Sequence, residues 1–344
     1  MKKYGLMIIS FALVLTAIPM APALISRTSQ NNTSDPDTKS QIPTDSRKTD
    51  STDNSDNTDS NETILMLDAS TGDVLTLSMK DYIIGAVTAE MPASFEKEAL
   101  KAQAVAVHTY AVRQQQAESE NPTPELCGAA LSNDSDHYQA YFTKSQAMEF
   151  YGTGYENAYK KISAAAEEVL PYIITYDDKP ILAAFCSMSS GQTESAANVW
   201  GQEVPYLVPA DSKGDKNAPN YLWEKEFSKK ELKSLLEAAF PDGDFSSSGK
   251  DFIKIEKRSE SGTVLSAVAG GVKVSGQDIR NALSLRSASF DIKWDGDTCT
   301  ITTKGYGHGV GMSQYGANAM AKSGANWKEI LQHYYTDAEI CKVK

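Results

Sequence analysis

The chain has 344 residues, of which 41% are apolar and 23% charged, a composition typical of globular proteins. Its formal net charge of −12, without a compensating basic stripe, excludes general nucleic-acid binding, because that binding needs clustered lysine and arginine. The length accommodates one large domain or two small ones, together with terminal segments.

The N-terminal segment indicates the cellular location of the chain. Lys2 and Lys3 are followed by an uncharged stretch from residue 4 to residue 26, which is long enough to cross a bilayer with some tilt. A cleaved signal peptide is the alternative, because Ala-Pro-Ala at 21–23 resembles a small-residue cleavage site. We predict a single-pass anchor over residues 1–26, with the lysines in the cytoplasm and the remaining chain outside it.

Residues 27–62 are predicted to form a disordered polar linker. Their sequence, RTSQNNTSDPDTKSQIPTDSRKTDSTDNSDNTDSNE, contains one apolar side chain, Ile42, and therefore cannot bury a core. A tether of this composition lets a folded domain, predicted at 63–344, sample a volume near the membrane.

The folded domain alternates predicted hairpins with separate helices. Asp81 is the expected N-cap of a short helix that ends at Met91-Pro92, since the residue before proline avoids the α region. Ser94 is expected to cap a long second helix, and Ser275 a later one. Hairpin turns are predicted at Thr71-Gly72, Asp177-Asp178, Ser261-Gly262 and Asp295-Gly296. This order indicates an α+β fold, with hairpin-built sheets and helices around a substrate groove.

Glu90 has an unusual position for a carboxylate. It falls in the last turn of the short helix, where unpaired carbonyl groups oppose a negative charge. Val87 and Met91 are expected to desolvate it, and both effects raise its pKa. A carboxyl that stays protonated near neutral pH is what protonation of a glycosidic oxygen requires. The alternative is an exposed glutamate at a helix end.

Lys101 and His108 are seven residues apart on the long helix and therefore share one face. As a cationic pair they would hold polar substrate groups near Glu90. Otherwise, Lys101 is a solvated lysine and His108 is a half-buried helix residue.

The stretch KGYGHGVGMSQYGANAMA, residues 304–321, is the most informative in the chain. Its glycines let the backbone approach a ligand closely, and Ser313 is the predicted N-cap of the helix that follows. Hydroxyl, amide, aromatic and backbone groups of this kind suit a sugar. A phosphate-binding loop is disfavoured because no GK[ST] follows, and a tight strand-to-helix connection is the structural alternative. The predicted substrate-binding residues here are Gly307, His308, Gly309, Ser313, Gln314 and Tyr315.

A second polar segment, AAFCSMSSGQTESA at 183–196, follows an apolar strand. We expect Ser187, Ser190, Thr193 and Glu194 to contact substrate, although ordinary turn chemistry explains the same composition. Ser187 lacks the GxSxG context of a serine nucleophile. Glu194 as a second carboxylate would allow a conventional glycosidase pair.

The chain has four cysteines, Cys127, Cys186, Cys299 and Cys341. Outside the cytoplasm they allow three disulfide connectivities, but we expect the core to provide most of the stability. Cys127 and His137 bracket a polar loop, and two ligands are fewer than a stable zinc site uses. We therefore predict no cofactor, with a zinc ion as the alternative.

Three sequence blocks resemble the sporulation protein D and amidase-enhancer family: AEMPASFEKEALKAQAVAVHTYAV, FCSMSSGQTES and GYGHGVGMSQYGANAMAKSGANWKEILQHYY. The resemblance runs from about Thr63 to the C-terminus. It implies a membrane-anchored lytic transglycosylase of sporulation engulfment, located between the forespore and mother-cell membranes. The implied substrate is the MurNAc–GlcNAc bond of glycan strands without stem peptides, which leaves a 1,6-anhydro-MurNAc end. The implied catalytic acid/base is Glu90.

The resemblance also implies two partners, a cell-wall amidase and hydrolase called sporulation protein P and a membrane protein called sporulation protein M. A non-catalytic, glycan-binding enhancer of an amidase is the alternative function. Family members usually have arginine where this chain has His108. Some bind zinc through two cysteines and a histidine, but here Tyr138 replaces the cysteine expected beside Cys127 and His137, so loss of the metal is expected.

Overall fold

The computed structural model describes residues 62–135 and 137–343. The predicted anchor (1–26) and nearly all of the predicted linker (27–62) lie outside these residues. Within the described ranges, no helix combines the length and apolar character needed to span a bilayer.

The described chain is mixed α+β, as predicted, and its strands form several small sheets rather than one large sheet. The strands are β1 (Thr63–Leu67), β2 (Val74–Ser78), β3 (Leu131–Ser132), β4 (Tyr172–Tyr176), β5 (Lys179–Pro180), β6 (Phe185–Cys186), β7 (Leu222–Ser228), β8 (Ile253–Arg258), β9 (Val264–Ala269), β10 (Val272–Val274), β11 (Phe290–Asp295), β12 (Thr298–Lys304), β13 (Met312–Ser313) and β14 (Glu339–Lys342). The sheet orders are β2-β1-β3, β10-β9-β8, β11-β12-β7, β13-β6 and β14-β4-β5.

The helices flank these sheets. They are α1 (Met79–Glu90), α2 (Lys97–Glu120), α3 (Lys144–Tyr151), α4 (Tyr155–Val169), α5 (Ala196–Trp200), α6 (Lys229–Ala239), α7 (Gly276–Leu283), α8 (Gln314–Lys322) and α9 (Trp327–Tyr334). Ser275 and Ser313 are the N-caps of α7 and α8, as the sequence predicts.

The predicted hairpins are present as four antiparallel pairs: β1 with β2, β4 with β5, β8 with β9, and β11 with β12. Asp177 and Asp178 join β4 to β5 with φ values of 50° and 60°. Two successive positive φ angles are the signature of the turn type that matches strand twist. Local turn chemistry therefore favours the pairing of β4 with β5.

Buried apolar side chains form two separate cores. The larger contains residues of α1, α2, α4, α8 and α9 with β1, β4 and β6. The smaller is built from β7 to β12 with α6 and α7. The chain returns from the smaller core to the larger one through the glycine-rich segment after β12, so this segment joins the two.

Two predicted helix caps are wrong. The N-cap of α1 is Ser78, whose hydroxyl accepts the backbone N–H of Asp81 at 3.0 Å. The N-cap of α2 is Glu96 rather than Ser94, and its backbone N–H donates to the Asn318 side chain of α8 at 2.8 Å. That partner is 222 residues away in sequence, so local patterns could not reveal it.

Candidate functional site

A groove with a volume of about 330 Å³ opens beside the end of α1. Its walls come from the segment before α3, from α3 itself, from the residues after β6, and from the glycine-rich segment with the start of α8. Several aromatic side chains line it: Tyr141, Phe142, Phe150, Tyr151, Phe185, Tyr306 and Tyr315. Such apolar faces with a few polar groups suit the stacking of sugar rings.

Glu90 lies in the wall of this groove. It is the last residue of α1, because Met91, before Pro92, has extended backbone angles of −131° and 130°. The half-buried carboxyl accepts the backbone N–H of Ala140 at 2.8 Å through Oε1. Burial raises its pKa to about 7, although the Ala140 N–H and the nearby Gln314 amide favour the charged form. Glu90 is the only Asp or Glu among the described residues that line the groove.

Gln314 presents a second polar group to the same groove. It is the first residue of α8, and its Nε2 is buried without a hydrogen-bond partner in the described ranges. The amide lies near enough to Glu90 to influence its pKa without forming a hydrogen bond of ordinary geometry. A buried donor with no partner is costly unless a ligand satisfies it, so Gln314 is suited to bind substrate.

The glycine-rich segment lies directly against the strand β6. Gly305, Gly307, Gly309 and Gly311 all have positive φ angles, which side-chain-bearing residues adopt rarely. A Cβ added to Gly311 would stand 2.0 Å from the carbonyl oxygen of Ala184. Glycine at this position is therefore required by both backbone conformation and space.

His308 faces the groove as a neutral side chain. Its Nδ1 accepts the backbone N–H of Val310 at 3.1 Å, so in the neutral ring the proton is on Nε2. Nε2 is buried and has no hydrogen-bond partner within the described part of the chain. Burial, with the charge of Arg280, lowers the pKa of His308 to about 4. His308 therefore offers a donor to a ligand but no charge at neutral pH.

Two further predicted residues, Ser187 and Tyr315, also line the groove, together with Gly307. Tyr315 packs edge-on against Phe95, with ring centroids 4.9 Å apart. Gly309 instead contributes to a smaller neighbouring cleft that Ser190 and Glu194 also line.

Glu194 does not act as a second carboxylate in the groove. Its side chain is buried and accepts hydrogen bonds from Ser259 at 2.5 Å, from Ser261 and from Asn198 at 2.9 Å. Ser259 and Ser261 belong to the hairpin turn of the smaller core, so Glu194 ties the two cores together. Its oxygens are occupied by the protein.

Three predicted hydroxyl contacts are likewise structural. Thr193 is fully buried and its Oγ1 accepts the N–H of Ala210 at 2.8 Å. Ser190 donates to the carbonyl of Ser261 at 2.7 Å. Ser313 is fully buried, and its hydroxyl donates to Asp215 at 2.7 Å. The structure thus uses these hydroxyls inside the protein.

The structure does not bring Lys101 and His108 to Glu90. Lys101 forms ion pairs with Glu98 and Glu168, each at 2.7 Å. His108 is buried with Nδ1 3.1 Å from the carbonyl of Tyr172, and burial lowers its pKa to about 4. The expected cationic pair is wrong, because that helix face packs against α4 and β4 and the histidine is neutral.

Cys127 and His137 make separate contacts. The ring of His137 pairs with Asp134 at 2.8 Å, while Cys127 is exposed with its sulfur near the Glu125 carbonyl. In the described ranges, no group of three His, Cys, Asp or Glu side chains could hold a metal ion. All four cysteines lie within those ranges and are free thiols.

Asp215 is an important residue that sequence reasoning missed. It is fully buried and accepts hydrogen bonds from the backbone N–H and hydroxyl of Ser189, at 2.7 and 2.6 Å, and from Ser313. These bonds fasten the N-terminus of α8, and therefore Gln314, to the segment after β6. An aspartate in a polar loop gives no local sign of such burial.

The fold and the groove define an α+β protein with a protonatable carboxyl in a wall that several aromatic rings share. A family model described as Stage II sporulation protein matches residues 68–176. The chain belongs to the stage II sporulation protein D family. It is 41% identical to stage II sporulation protein D of Bacillus amyloliquefaciens, over 79% of this chain and 76% of the relative. Identity to the Bacillus subtilis (strain 168) protein of that name is also 41%, over 78% and 75%.

A more distant relative is the amidase enhancer of Bacillus subtilis (strain 168), which is 28% identical over 73% of this chain and 39% of its own length. These relatives connect the family with sporulation and support a cell-wall-related role as its broad function.

Proposed function

We propose that this chain is a peptidoglycan lytic transglycosylase that cleaves the MurNAc–GlcNAc bonds of glycan strands lacking stem peptides during sporulation engulfment. The observation that supports this proposal is Glu90, a carboxyl with a pKa of about 7 in an aromatic groove. At neutral pH a large fraction of it is protonated, as a general acid must be.

One carboxyl is sufficient for this reaction. Glu90 donates its proton to the glycosidic oxygen as the bond to C1 of MurNAc breaks. The ionised carboxylate then accepts the proton of the C6 hydroxyl, whose oxygen bonds to C1 and forms the 1,6-anhydro ring. No water is consumed and Glu90 regains its proton. Because Ala140 occupies Oε1, we assign the transferred proton to Oε2.

A two-carboxylate hydrolase has less support. Its partner carboxylate should lie about 5 to 9.5 Å from the acid, but Glu194 is bound by Ser259, Ser261 and Asn198. A serine nucleophile at Ser187 would need a base, and the acceptor nitrogen of His308 is already used by Val310.

The product distinguishes these functions. Full-length protein should release anhydro-MurNAc ends from amidase-treated peptidoglycan, and mass spectrometry separates them from hydrolytic ends by one water. Glu90→Gln should abolish release, whereas Glu149→Gln, an exposed glutamate of α3, should retain it. Reducing MurNAc ends would indicate a hydrolase, and release by Glu90→Gln would refute the assignment of Glu90.

A non-catalytic enhancer is the second candidate, because one relative is an amidase enhancer. It predicts binding of the same glycan without new ends, together with faster turnover by a separate amidase. The assay should therefore be run with and without an added amidase, and stimulation that persists in Glu90→Gln would favour the enhancer.

We further propose that residues 1–26 anchor the chain in the membrane and hold the domain in the space between the forespore and mother-cell membranes. Lys2 and Lys3 before the uncharged stretch support this orientation. Sporulation proteins P and M are the proposed partners. Protease added to intact cells or protoplasts tests the topology, and co-purification of the full chain tests the partners.

A further inference from the structure

Arg286 lies beside the groove, in a stack of aromatic rings. Its guanidinium carbon is 5.0 Å from the ring centroid of Trp223 and 5.3 Å from that of Tyr306. Tyr306 lines the groove, and the carbonyl of Arg286 accepts the N–H of Gly307 at 2.9 Å. The stacked side chain and the backbone hydrogen bond thus hold Arg286 next to Tyr306, which itself lines the groove.

Within the part of the chain that the structure describes, the guanidinium of Arg286 has no oxygen partner. Unlike Arg286, the other arginines of the described ranges donate to carbonyl, amide or carboxylate oxygens: Arg113, Arg258 and Arg280. The side chain of Arg286 makes no hydrogen bond or ion pair with any residue in those ranges. Stacking uses the flat faces of a guanidinium and leaves the N–H groups at its edge available. A planar anion, above all a carboxylate, fits that edge through two parallel hydrogen bonds.

The proposed substrate carries such an anion. MurNAc has a lactyl group whose carboxyl is joined to the stem peptide by an amide in intact peptidoglycan. Removal of the peptide leaves a free carboxylate next to the bond that is cleaved. An amide at the same place is neutral and cannot form the charge-assisted pair.

We propose that Arg286 binds the lactyl carboxylate of MurNAc and thereby selects glycan strands without stem peptides. This inference rests on the proposed function, because it concerns the substrate of the same groove. Arg286 is a specificity residue here and takes no part in the proton transfers of Glu90.

The experiment measures binding separately from cleavage. Full-length Glu90→Gln protein is titrated with peptide-free glycan oligosaccharides, and with the same oligosaccharides after conversion of their carboxyls to methylamides. The carboxylate form should bind about tenfold to a hundredfold more tightly. Adding Arg286→Gln should remove this preference and leave both at the weaker affinity, while Arg286→Lys should restore part of it because the charge remains.

Lys328→Gln provides the matched control. The Lys328 ammonium also stacks on two rings, 5.5 Å from the centroid of Tyr172 and 5.4 Å from that of Trp327, but neither ring lines the groove. This variant should keep the full preference for the carboxylate. Thermal midpoints of both variants show whether loss of stacking alone weakens the fold.

Two outcomes would overturn the proposal: equal binding of both oligosaccharides before Arg286 is changed, or an undiminished preference in a folded Arg286→Gln protein. Product release by protein with Glu90 intact is measured in parallel. If the preference depends on Arg286 but no anhydro ends are released, the proposed transglycosylase activity is refuted. The groove would then be a binding site that is specific for the carboxylate.

Discussion

The backbone N–H of Ala140 donates a 2.8 Å hydrogen bond to Oε1 of Glu90, joining the end of α1 to a segment 50 residues later. This bond fixes the acid in the groove wall, while burial raises its pKa to about 7. The hydrogen bond favours the charged form, so the raised pKa shows that desolvation is the stronger effect. Glu90 is thus both positioned and kept protonatable.

Cleavage should depend on the protonated form of Glu90. We expect kcat/KM to be level from about pH 5 to 6.5 and to fall about tenfold per pH unit above about pH 7, because one proton must be present. His308, with a pKa lowered to about 4, should add no change across this range. Initial rates on peptide-free glycan between pH 5 and 9 provide the measurement. A flat profile up to pH 9 would contradict the role of Glu90 as the acid.

Glu90 should also make folding less favourable at high pH. Its pKa is about 7 in the folded protein against 4.5 in a free side chain, so between these values the folded state binds more protons. The stability contribution is complete below pH 4.5 and is lost as the pH rises to about 7. After allowance for partial exposure, the loss is about 2 kcal/mol.

Glu90→Gln removes this titration, so it should be inactive yet lose less stability than the wild type between pH 4 and pH 8. Urea unfolding of both proteins at the two pH values gives the difference, and other titrating groups cancel in the comparison. Identical pH dependence in the two proteins would show that the carboxyl is well solvated.

The sequence predicted those features of the site that depend on local chemistry. The end of α1 at Glu90 follows from the Met91-Pro92 pair, and the apolar neighbours explain the direction of the pKa shift. The cap at Ser313 and the turns of the hairpins were likewise predictable, because each depends on residues within four positions. These features place the acid and the glycine-rich segment but do not show that they meet.

The features that were missed depend on distant partners. Periodicity placed Lys101 and His108 on one helix face, but Glu168 of α4 binds Lys101 and the burial of His108 keeps it neutral. Glu194 and Asp215 are polar residues in loops, which normally indicates solvent exposure. In the fold, each of these carboxylates is buried and accepts hydrogen bonds from hydroxyl groups far away in the sequence. A local sequence pattern cannot predict such contacts.

Gly311→Ala should strongly destabilise the protein. Gly311 has a φ of 73°, and an added Cβ would lie 2.0 Å from the Ala184 carbonyl oxygen. Backbone strain and displacement of Ala184, directly before β6, together should cost about 3 kcal/mol or more. Gly324→Ala is the control, because Gly324 has a φ of 97° but no atom within 4 Å of an added Cβ. It should cost only about 1 kcal/mol, as measured by urea unfolding. Equal losses of unfolding free energy in the two variants would indicate that the segment at Ala184 shifts without a penalty.

Asp215→Ala should reduce both stability and activity. Removing the carboxylate leaves the buried donors of Ser189 and Ser313 without an acceptor, at a cost of about 3 kcal/mol. The N-terminus of α8 then loses its attachment, so Gln314 should no longer be held beside Glu90 and kcat should fall about tenfold. Urea unfolding and initial rates on peptide-free glycan measure the two effects.

The neighbouring Asp211 provides the control for this substitution. Asp211 is exposed and its side chain pairs with Lys213 at 2.6 Å, an arrangement that usually contributes little. Asp211→Ala should therefore leave stability and kcat unchanged. A folded Asp215→Ala protein with full kcat would show that the groove keeps its geometry without this attachment, and that Asp215 stabilises the fold alone.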